Sequence, residues 1–210
     1  MNNDHEKENA AIASLDYVTH DCILGVGTGS TVNYLIENLD RVKHKIKSVV
    51  SSSVDSTRRL QSAGFIVEEL STVGKPDLYI DGADEVDSSH NLIKGGGGAH
   101  TREKIVASAS NEFVCIVDDS KLVTRLGAFP LPVKVIPESR SLVARKIVSM
   151  GGTPIYRAGF VTDQGNHILD IQDLDISNPE AVEVLLNNIP GVVDNGIFAF
   201  NKPKTVLVSK

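Results

Sequence analysis

A strand followed by a glycine-rich turn and a helix is the feature that most constrains the fold of this chain. The apolar run at 22–25 predicts a buried strand, and the turn Gly25-Val26-Gly27-Thr28-Gly29-Ser30-Thr31 follows it directly. Beyond the turn, apolar residues recur at helical spacing: Val32, Leu35, Ile36 and Leu39. This order of elements indicates the first unit of a parallel α/β sheet.

The same alternation continues through the first part of the chain. Apolar runs predict strands at 46–50, 65–67, 78–80 and 113–117, and periodic segments predict helices at 3–18, 54–63 and 102–109, with Asn3 as the cap of the first. Strands that alternate with helices form mostly parallel sheets covered on both faces. We therefore predict a doubly wound, Rossmann-like α/β fold.

Two prolines and a glycine between 126 and 132 interrupt this pattern and predict a domain boundary. Residues 1–127, joined by a C-terminal strand at 203–210, form the predicted catalytic domain, and residues 128–202 a smaller α+β domain. In the smaller domain we predict strands at 133–136, 153–156, 167–171 and 197–200, and helices at 139–150 and after Asn178-Pro179.

Composition narrows the possible functions and location. The net charge is −6 and no basic stripe is present, which argues against nucleic acid and membrane partners. The six histidines form no metal-ligand spacing, so no metal is expected. Two cysteines in apolar runs, no signal peptide and no membrane-spanning run favour the cytoplasm.

The glycine turn suits an anion, because free backbone N–H groups and the positive end of a helix dipole meet there. We expect Thr28, Gly29, Ser30 and Thr31 to hold a phosphate, with hydroxyls as further donors. The spacing fits neither a nucleoside triphosphate loop nor a dinucleotide fingerprint. A tight turn with a capping serine is the alternative.

The segment Asp81-Gly82-Ala83-Asp84-Glu85 places three carboxylates after a predicted strand, at the sheet edge where open α/β folds bind ligands. Such carboxylates can exchange protons with sugar hydroxyls. The alternative is an acidic surface turn.

A second glycine segment, Lys94-Gly95-Gly96-Gly97-Gly98, leads into the predicted helix that carries Glu103. Four consecutive glycines are entropically costly, and a backbone that wraps a ligand closely is one reason to keep them. A flexible linker is the alternative. Lys121 follows another strand end and would be a surface lysine if considered alone.

The segments GVGTGST, DGADE, KGGGGAHTREK, SKLV, GAFPLPVKVIP and PGVVDNGIF resemble, in order and along nearly the whole chain, the type A ribose-5-phosphate isomerases. The resemblance implies Glu103 as catalytic base, Asp81, Asp84 and Lys94 as its supporting residues, and Lys121 as a substrate-binding residue. It also implies a homodimer or a pair of dimers, no cofactor, and conversion of ribose 5-phosphate to ribulose 5-phosphate. His100 departs from the family pattern, in which leucine is usual.

Aldose–ketose isomerisation requires a proton to move between two carbons through an enediolate. Glu103 can move that proton, while Lys94 and the backbone of 95–98 stabilise the oxyanion. Gly82, Ala83, Gly95, Gly96 and Gly97 complete the predicted substrate contacts. A non-catalytic sugar-phosphate sensor and an acyl or coenzyme A transferase are the alternatives.

Overall fold

Five parallel strands form the sheet that the sequence predicted for the first part of the chain. They are, in chain-order numbering, β1 (Cys22–Val26), β2 (Ile46–Ser51), β3 (Leu78–Asp81), β6 (Glu112–Asp118) and β12 (Thr205–Ser209). Their order in the sheet is β12-β6-β3-β1-β2, and every neighbouring pair is parallel. Because β3 is central, side chains at its carboxyl end lie in the middle of the sheet edge.

The computed structural model describes residues 4–209, which divide into two compact units. The first unit contains the chain up to Ala83, Arg102–Lys121 and the segment from Pro203 onward. The second contains Asp84–Thr101 and Leu122–Lys202. Residues 84–101 and 122–127 therefore group with the second unit, whereas the sequence assigned them to the first domain.

Four helices accompany the five-stranded sheet: α1 (Asp4–Ser14), α2 (Ser30–Asn38), α3 (Val54–Ser62) and α4 (His100–Ala109). The first three share an apolar core with Leu78 and Ile80 of β3. Alternate residues of a strand face opposite sides of the sheet, so Tyr79 and Asp81 face away from this core. Val106 of α4 lies on the same side of the sheet as Tyr79. A Cβ added at Gly25 would be 2.8 Å from Cγ1 of Val106 and 2.9 Å from Cδ2 of Tyr79. The sheet is thus covered on both faces, as predicted.

Helix ends follow the capping residues in the sequence. The hydroxyl of Ser53 accepts a hydrogen bond from the Ser56 N–H at 3.0 Å and starts α3. The predicted cap of the first helix, Asn3, lies outside the described residues. The predicted strand at 65–67 is wrong: only Val67 pairs, in a single bridge with Val49.

The second unit contains two antiparallel sheets. The larger has the order β10 (Val192–Asn195), β7 (Leu131–Val135), β9 (His167–Gln172) and β8 (Thr153–Tyr156), and packs with α5 (Arg140–Ser149) and α6 (Pro179–Asn187). The smaller joins β11 (Ile197–Phe198), β5 (Leu92–Ile93) and β4 (Glu85–Val86). Asn178 caps α6 by accepting from the Ala181 N–H at 3.2 Å, with Pro179 at the first helical position, as predicted.

No helix within residues 4–209 has both the length and the apolar character that spanning a bilayer requires.

Both cysteines are buried, and burial together with the charge of Asp77 raises the pKa of the Cys22 thiol to about 11. We expect a thiol reagent at pH 8 to modify the native protein at least ~100-fold more slowly than the guanidinium-unfolded protein, because thiolate is scarce and access is blocked. Mass spectrometry of timed samples gives both rates, and a Cys22→Ser variant separates the two sites. Rapid native labelling would contradict the burial of both thiols.

Candidate active site

The turn between β1 and α2 opens the helix at Gly29. Gly29 has φ +126°, a conformation that glycine adopts without the steric cost of a side chain, and it directly precedes the first helical residue, Ser30. The first N–H groups of a helix have no intrahelical acceptor, and here they are carried by the exposed or half-buried residues Ser30 and Thr31. A helix start of this kind can bind an anion, and the phosphate site at this turn stays a prediction.

The carboxylate of Asp81 lies directly against this turn. Its Oδ1 accepts hydrogen bonds from the Thr28 N–H at 3.0 Å and from the Gly82 N–H at 2.7 Å. A Cβ on Gly27 would lie 2.0 Å from both Cγ and Oδ1 of Asp81, so only glycine leaves room for the carboxylate. Asp81 is fully buried, and its contacts hold the glycine turn in place.

Tyr79 brings a hydroxyl to the same carboxylate. Its O–H donates to Oδ2 of Asp81, and its buried ring packs on Phe113 with centroids 5.0 Å apart. Burial raises the pKa of Tyr79 well above its usual value, and the charges of Asp81 and Glu103 raise it further. Tyr79 therefore keeps its proton at physiological pH.

Glu103 occupies the first turn of α4 and is 4% exposed. Its charge acts on the Tyr79 hydroxyl, as does that of Asp81, so the two carboxylates neighbour one buried phenol. Arg102, beside Glu103 in the chain, donates to the Ser51 carbonyl at 3.3 Å and ties the helix to the end of β2. The structure thus brings Thr28 and Asp81 together within the first unit, and the charge of Glu103 contributes to the raised pKa of Tyr79.

A layer of hydroxyls lies behind the turn. Thr28 Oγ1 is 3.0 Å from Ser52 Oγ and 3.2 Å from Ser56 Oγ, and the Ser56 hydroxyl donates to the Gly27 carbonyl at 2.6 Å. The sequence excluded the 51–53 serines as a hydrolase nucleophile and assigned them no other part. Their position follows from pairing of β2 with β1, which no local pattern discloses.

The glycine segment of the second unit is an ordered turn. Gly98 N–H donates to the Gly95 carbonyl at 2.9 Å, and both residues have positive φ, +108° for Gly95 and +78° for Gly98. The Gly96 N–H donates to Oδ2 of Asp84 at 2.8 Å. Asp84 and the glycine segment are therefore neighbours, and the flexible-linker alternative is excluded. Gly96 and Gly97 are exposed, and each could offer backbone to a ligand.

Arg157 supports this segment and was missed from the sequence. Its guanidinium donates to the Gly96 carbonyl at 3.0 Å and, at longer distance, to the Gly95 carbonyl. Asp170 binds the same guanidinium through two nitrogens, which fixes its orientation. The only sequence signal was an Arg after one predicted strand and an Asp within the next, which is too common to single out.

The remaining predicted residues have distinct surroundings. Lys94 is 3% exposed, with Nζ 5.7 Å from the ring centroid of Phe198. Lys121 is half-buried and ends a 3-10 turn after β6 whose other two residues are exposed. Glu85 accepts from the N–H groups of Gly127 and Phe129 and so holds that loop. The fully buried His100 packs on Gly95, where a Cβ would be 2.6 Å from Nδ1. Whether residues of both units share one substrate stays a prediction.

Three carboxylates elsewhere in the first unit could offer oxygens to a cation. Atoms of Glu6, Asp118 and Asp119 lie within 4.8 Å of one another. Asp118 Oδ1 already accepts hydrogen bonds from the N–H and hydroxyl of Ser120. An acidic cluster alone does not define a metal site.

Fold and site define an α/β protein with a glycine turn at a helix start and two buried carboxylates, Asp81 and Glu103, in the same unit. Residues 48–210 match the family model for ribose 5-phosphate isomerase A (phosphoriboisomerase A). A ribose-5-phosphate isomerase A of Francisella tularensis subsp. novicida is 54% identical over 208 residues, 99% of this chain and 93% of that protein.

Comparison with solved structures gives the same family. The ribose 5-phosphate isomerase A of Neisseria gonorrhoeae is similar at a TM-score of 0.97, with 46% identity and coverage of 99% of this chain and 93% of that one. A D-ribose-5-phosphate isomerase in complex with phospho-erythronic acid is similar at a TM-score of 0.93, with 35% identity over 99% and 96% of the two chains. The chain belongs to the ribose 5-phosphate isomerase A family.

The contact between Gly27 and Asp81 can be tested by adding one methyl group. We expect Gly27→Ala to lower the free energy of unfolding by about 1–3 kcal/mol, because the buried carboxylate has no room to move aside. Gly74→Ala is the control: its Cβ would meet only Ile23 Cδ1 at 3.8 Å, and we expect a change within about 0.5 kcal/mol. Urea unfolding gives both values, and equal stability of the two variants would contradict the described contact.

The support of the glycine segment by Arg157 can be tested by hydrogen exchange. Lysine cannot reproduce the planar fork that binds Asp170 and two carbonyls, so Arg157→Lys should speed amide exchange at 95–98. Arg125→Lys is the control, because its ion pair with Asp175 is exposed, with side-chain exposures of 62% and 71%. Unaltered exchange at 95–98 in Arg157→Lys would show that the segment holds its shape without the guanidinium.

Proposed function

We propose that this protein interconverts D-ribose 5-phosphate and D-ribulose 5-phosphate through an enediolate, as a step of the non-oxidative pentose phosphate pathway. The observation that carries the proposal is the buried Glu103 carboxylate beside Tyr79 and Asp81, next to the anion-binding turn. A carboxylate withdrawn from water, with a phosphate site in the same unit, suits proton transfer on a phosphorylated sugar. Membership of the isomerase family supports the same reaction.

Glu103 is the proposed base. It removes the proton from C2 of the open-chain aldose and returns it to C1 of the enediolate, so that one carboxylate serves both directions. Burial suits this role, because proton transfer is not in competition with bulk water. A general base of this kind contributes roughly 10²- to 10⁴-fold to the rate.

The developing oxyanion needs a positive or hydrogen-bonding partner. We assign this role to Lys94 and the backbone of the 95–98 segment, an effect worth about 3–4 kcal/mol for one well-placed donor. The N–H groups of Gly96 and Gly98 already donate to Asp84 and to the Gly95 carbonyl, so the exposed Gly97 is the backbone donor that we propose. Asp84 assists by fixing the Gly96 N–H and by binding sugar hydroxyls together with the backbone of Gly82 and Ala83.

The phosphate is assigned to the start of α2. The N–H groups of Gly29, Ser30 and Thr31 and the hydroxyls of Ser30 and Thr31 are the donors, with Lys121 as the cation. Binding a phosphate remote from the reacting carbons positions them without taking part in bond breaking. The complex of a related isomerase with phospho-erythronic acid supports a phosphorylated ligand of this size.

We further propose that the protein acts in the cytoplasm as a homodimer or a pair of dimers, without a metal or cofactor. The assembly follows from the family resemblance of the chain, and the location from its composition. Light scattering coupled to size exclusion measures the assembly directly.

Glu103→Gln tests the proposed base. We expect kcat to fall at least about 10²-fold with KM nearly unchanged, because the amide keeps the shape of the side chain but cannot accept the proton. Activity is measured as ketose formed from ribose 5-phosphate, and in deuterated water as deuterium incorporated at C1 or C2. Glu37→Gln, which alters an exposed glutamate of α2, is the control. Full turnover by Glu103→Gln would transfer the role of base to Asp81 or Asp84.

A further inference from the structure

Glu85 is a buried carboxylate to which the proposed chemistry assigns no part. It is 3% exposed and begins β4, where it pairs in register with Ile93 of β5. A buried carboxylate is costly unless hydrogen-bond donors reach it, and here backbone N–H groups do so. Its Oε2 accepts from the Gly127 N–H at 2.7 Å and its Oε1 from the Phe129 N–H at 2.5 Å. Each oxygen of the carboxylate therefore fixes one end of the short 127–129 loop.

The ring of Phe129 lies against the second glycine segment. A Cβ built on Gly96 would be 3.2 Å from Cζ of Phe129, so the ring occupies the side of Gly96 on which any other residue carries a side chain. The same Cβ would be 2.9 Å from Oδ1 of Asp84, whose Oδ2 accepts from the Gly96 N–H. Asp84 and Glu85 are consecutive in the chain. Asp84 contacts Gly96 directly, and Glu85 contacts the loop that carries Phe129 to the same glycine.

The orientation of Gly96 determines the direction of the next N–H group. In a trans peptide unit the carbonyl of one residue and the N–H of the following residue point in opposite directions. The Gly96 carbonyl therefore determines where the Gly97 N–H points, and Arg157 donates to that carbonyl at 3.0 Å. The contacts of Gly96 thus orient the backbone donor that we propose for the oxyanion.

Gly97 has little packing of its own. Apart from its chain neighbours, no described residue has an atom within 4 Å of a Cβ built on Gly97, and the residue is exposed. The next glycine differs, because a Cβ on Gly98 would be 2.5 Å from the ring of Phe160. The direction of the Gly97 N–H therefore depends on the peptide unit that Gly97 shares with Gly96, and so on the contact between Gly96 and Phe129.

We infer that Glu85 and Phe129 are positioning residues of the isomerase. Glu85 fixes the 127–129 loop, the loop holds the Phe129 ring against Gly96, and the ring keeps the Gly97 N–H directed at the oxyanion. The inference rests on the proposed function, because it concerns a donor of that reaction. Neither side chain exchanges a proton with the substrate, and both act through the backbone of the glycine segment.

Glu85→Gln tests the first step, since it keeps the size of the side chain and removes one acceptor. An amide has a single oxygen, so one loop N–H loses its partner and faces an NH₂ group instead. We expect backbone amides at 127–129 and at 95–98 to exchange about 10-fold faster or more. We expect kcat to fall about 5-fold or more with KM within about 2-fold, because the phosphate donors at the start of α2 are unchanged.

Phe129→Leu tests the second step, since it removes the ring and keeps the loop. The hydrogen bonds to Glu85 come from backbone N–H groups, so amides at 127–129 should exchange as in the wild type. Amides at 95–98 should exchange about 10-fold faster or more, and kcat should fall about 5-fold or more with KM within about 2-fold. Because both residues act through one contact, kcat of the double variant should lie within about 2-fold of the slower single variant.

Glu138→Gln and Phe200→Leu are the matched controls. Each makes the same substitution at an exposed residue of the second unit. We expect kcat, KM and amide exchange at 95–98 to keep their wild-type values in both controls.

The kinetic and exchange results together decide the inference. Faster exchange at 95–98 and a lower kcat in both variants, without a further loss in the double variant, support it. Losses of kcat that multiply in the double variant would show that the two residues act separately and would overturn it. Unchanged exchange at 95–98 or a wild-type kcat in Phe129→Leu would also overturn it, and this variant decides alone if Glu85→Gln does not fold.

Failure of the proposed function is distinguishable from failure of this inference. A wild-type protein that forms no ketose from ribose 5-phosphate would refute the proposed function and the catalytic part of the inference. The exchange rates at 95–98 would still show whether Glu85 and Phe129 hold the glycine segment.

Discussion

The absence of a side chain at Gly27 is the constraint on which the candidate site depends. It allows the carboxylate of Asp81 to lie against the backbone of the β1–α2 turn, where one oxygen accepts two N–H groups. A buried carboxylate is costly unless donors surround it, and here the turn itself supplies them. The glycine turn and the carboxylate therefore stabilise each other, and both sit at the carboxyl end of neighbouring parallel strands.

The second glycine segment, 95–98, is ordered although part of it is exposed. Four glycines in succession have much conformational freedom to lose, and no core surrounds Gly96 and Gly97. Order comes from outside the segment: Asp84 binds an N–H, Arg157 binds carbonyls, and Asp170 orients Arg157. Exposed backbone can in this way be both accessible and ordered, which a binding segment needs.

Much of the fold was predictable from the sequence, because parallel α/β folds have strong local patterns. Apolar runs and helical stripes identified all five strands of the main sheet and its four helices. The failures have local causes. Strands β4 and β5 have two residues each, too short for any periodicity, and they move residues 84–101 into the second unit. The apolar run at 65–67 predicted a strand that is reduced to one bridge.

Residues that act through long-range pairing could not be predicted. Ser52 reaches Thr28 because β2 pairs with β1, and Arg157 reaches a segment about sixty residues earlier in the chain. Tyr79 looked like an ordinary strand residue, since aromatic residues are common in buried strands. Its hydroxyl reaches a carboxylate only because Asp81, two residues on, faces the same side of the sheet.

The position of β12 in the sheet has a consequence for biosynthesis. This strand pairs with β6, yet the ribosome makes it only after the whole of the 122–202 segment. Throughout that interval β6 has an open edge, with its N–H and C=O groups available to any extended peptide. Nascent chains should therefore be most prone to mispairing, and most in need of a chaperone, just before β12 is made.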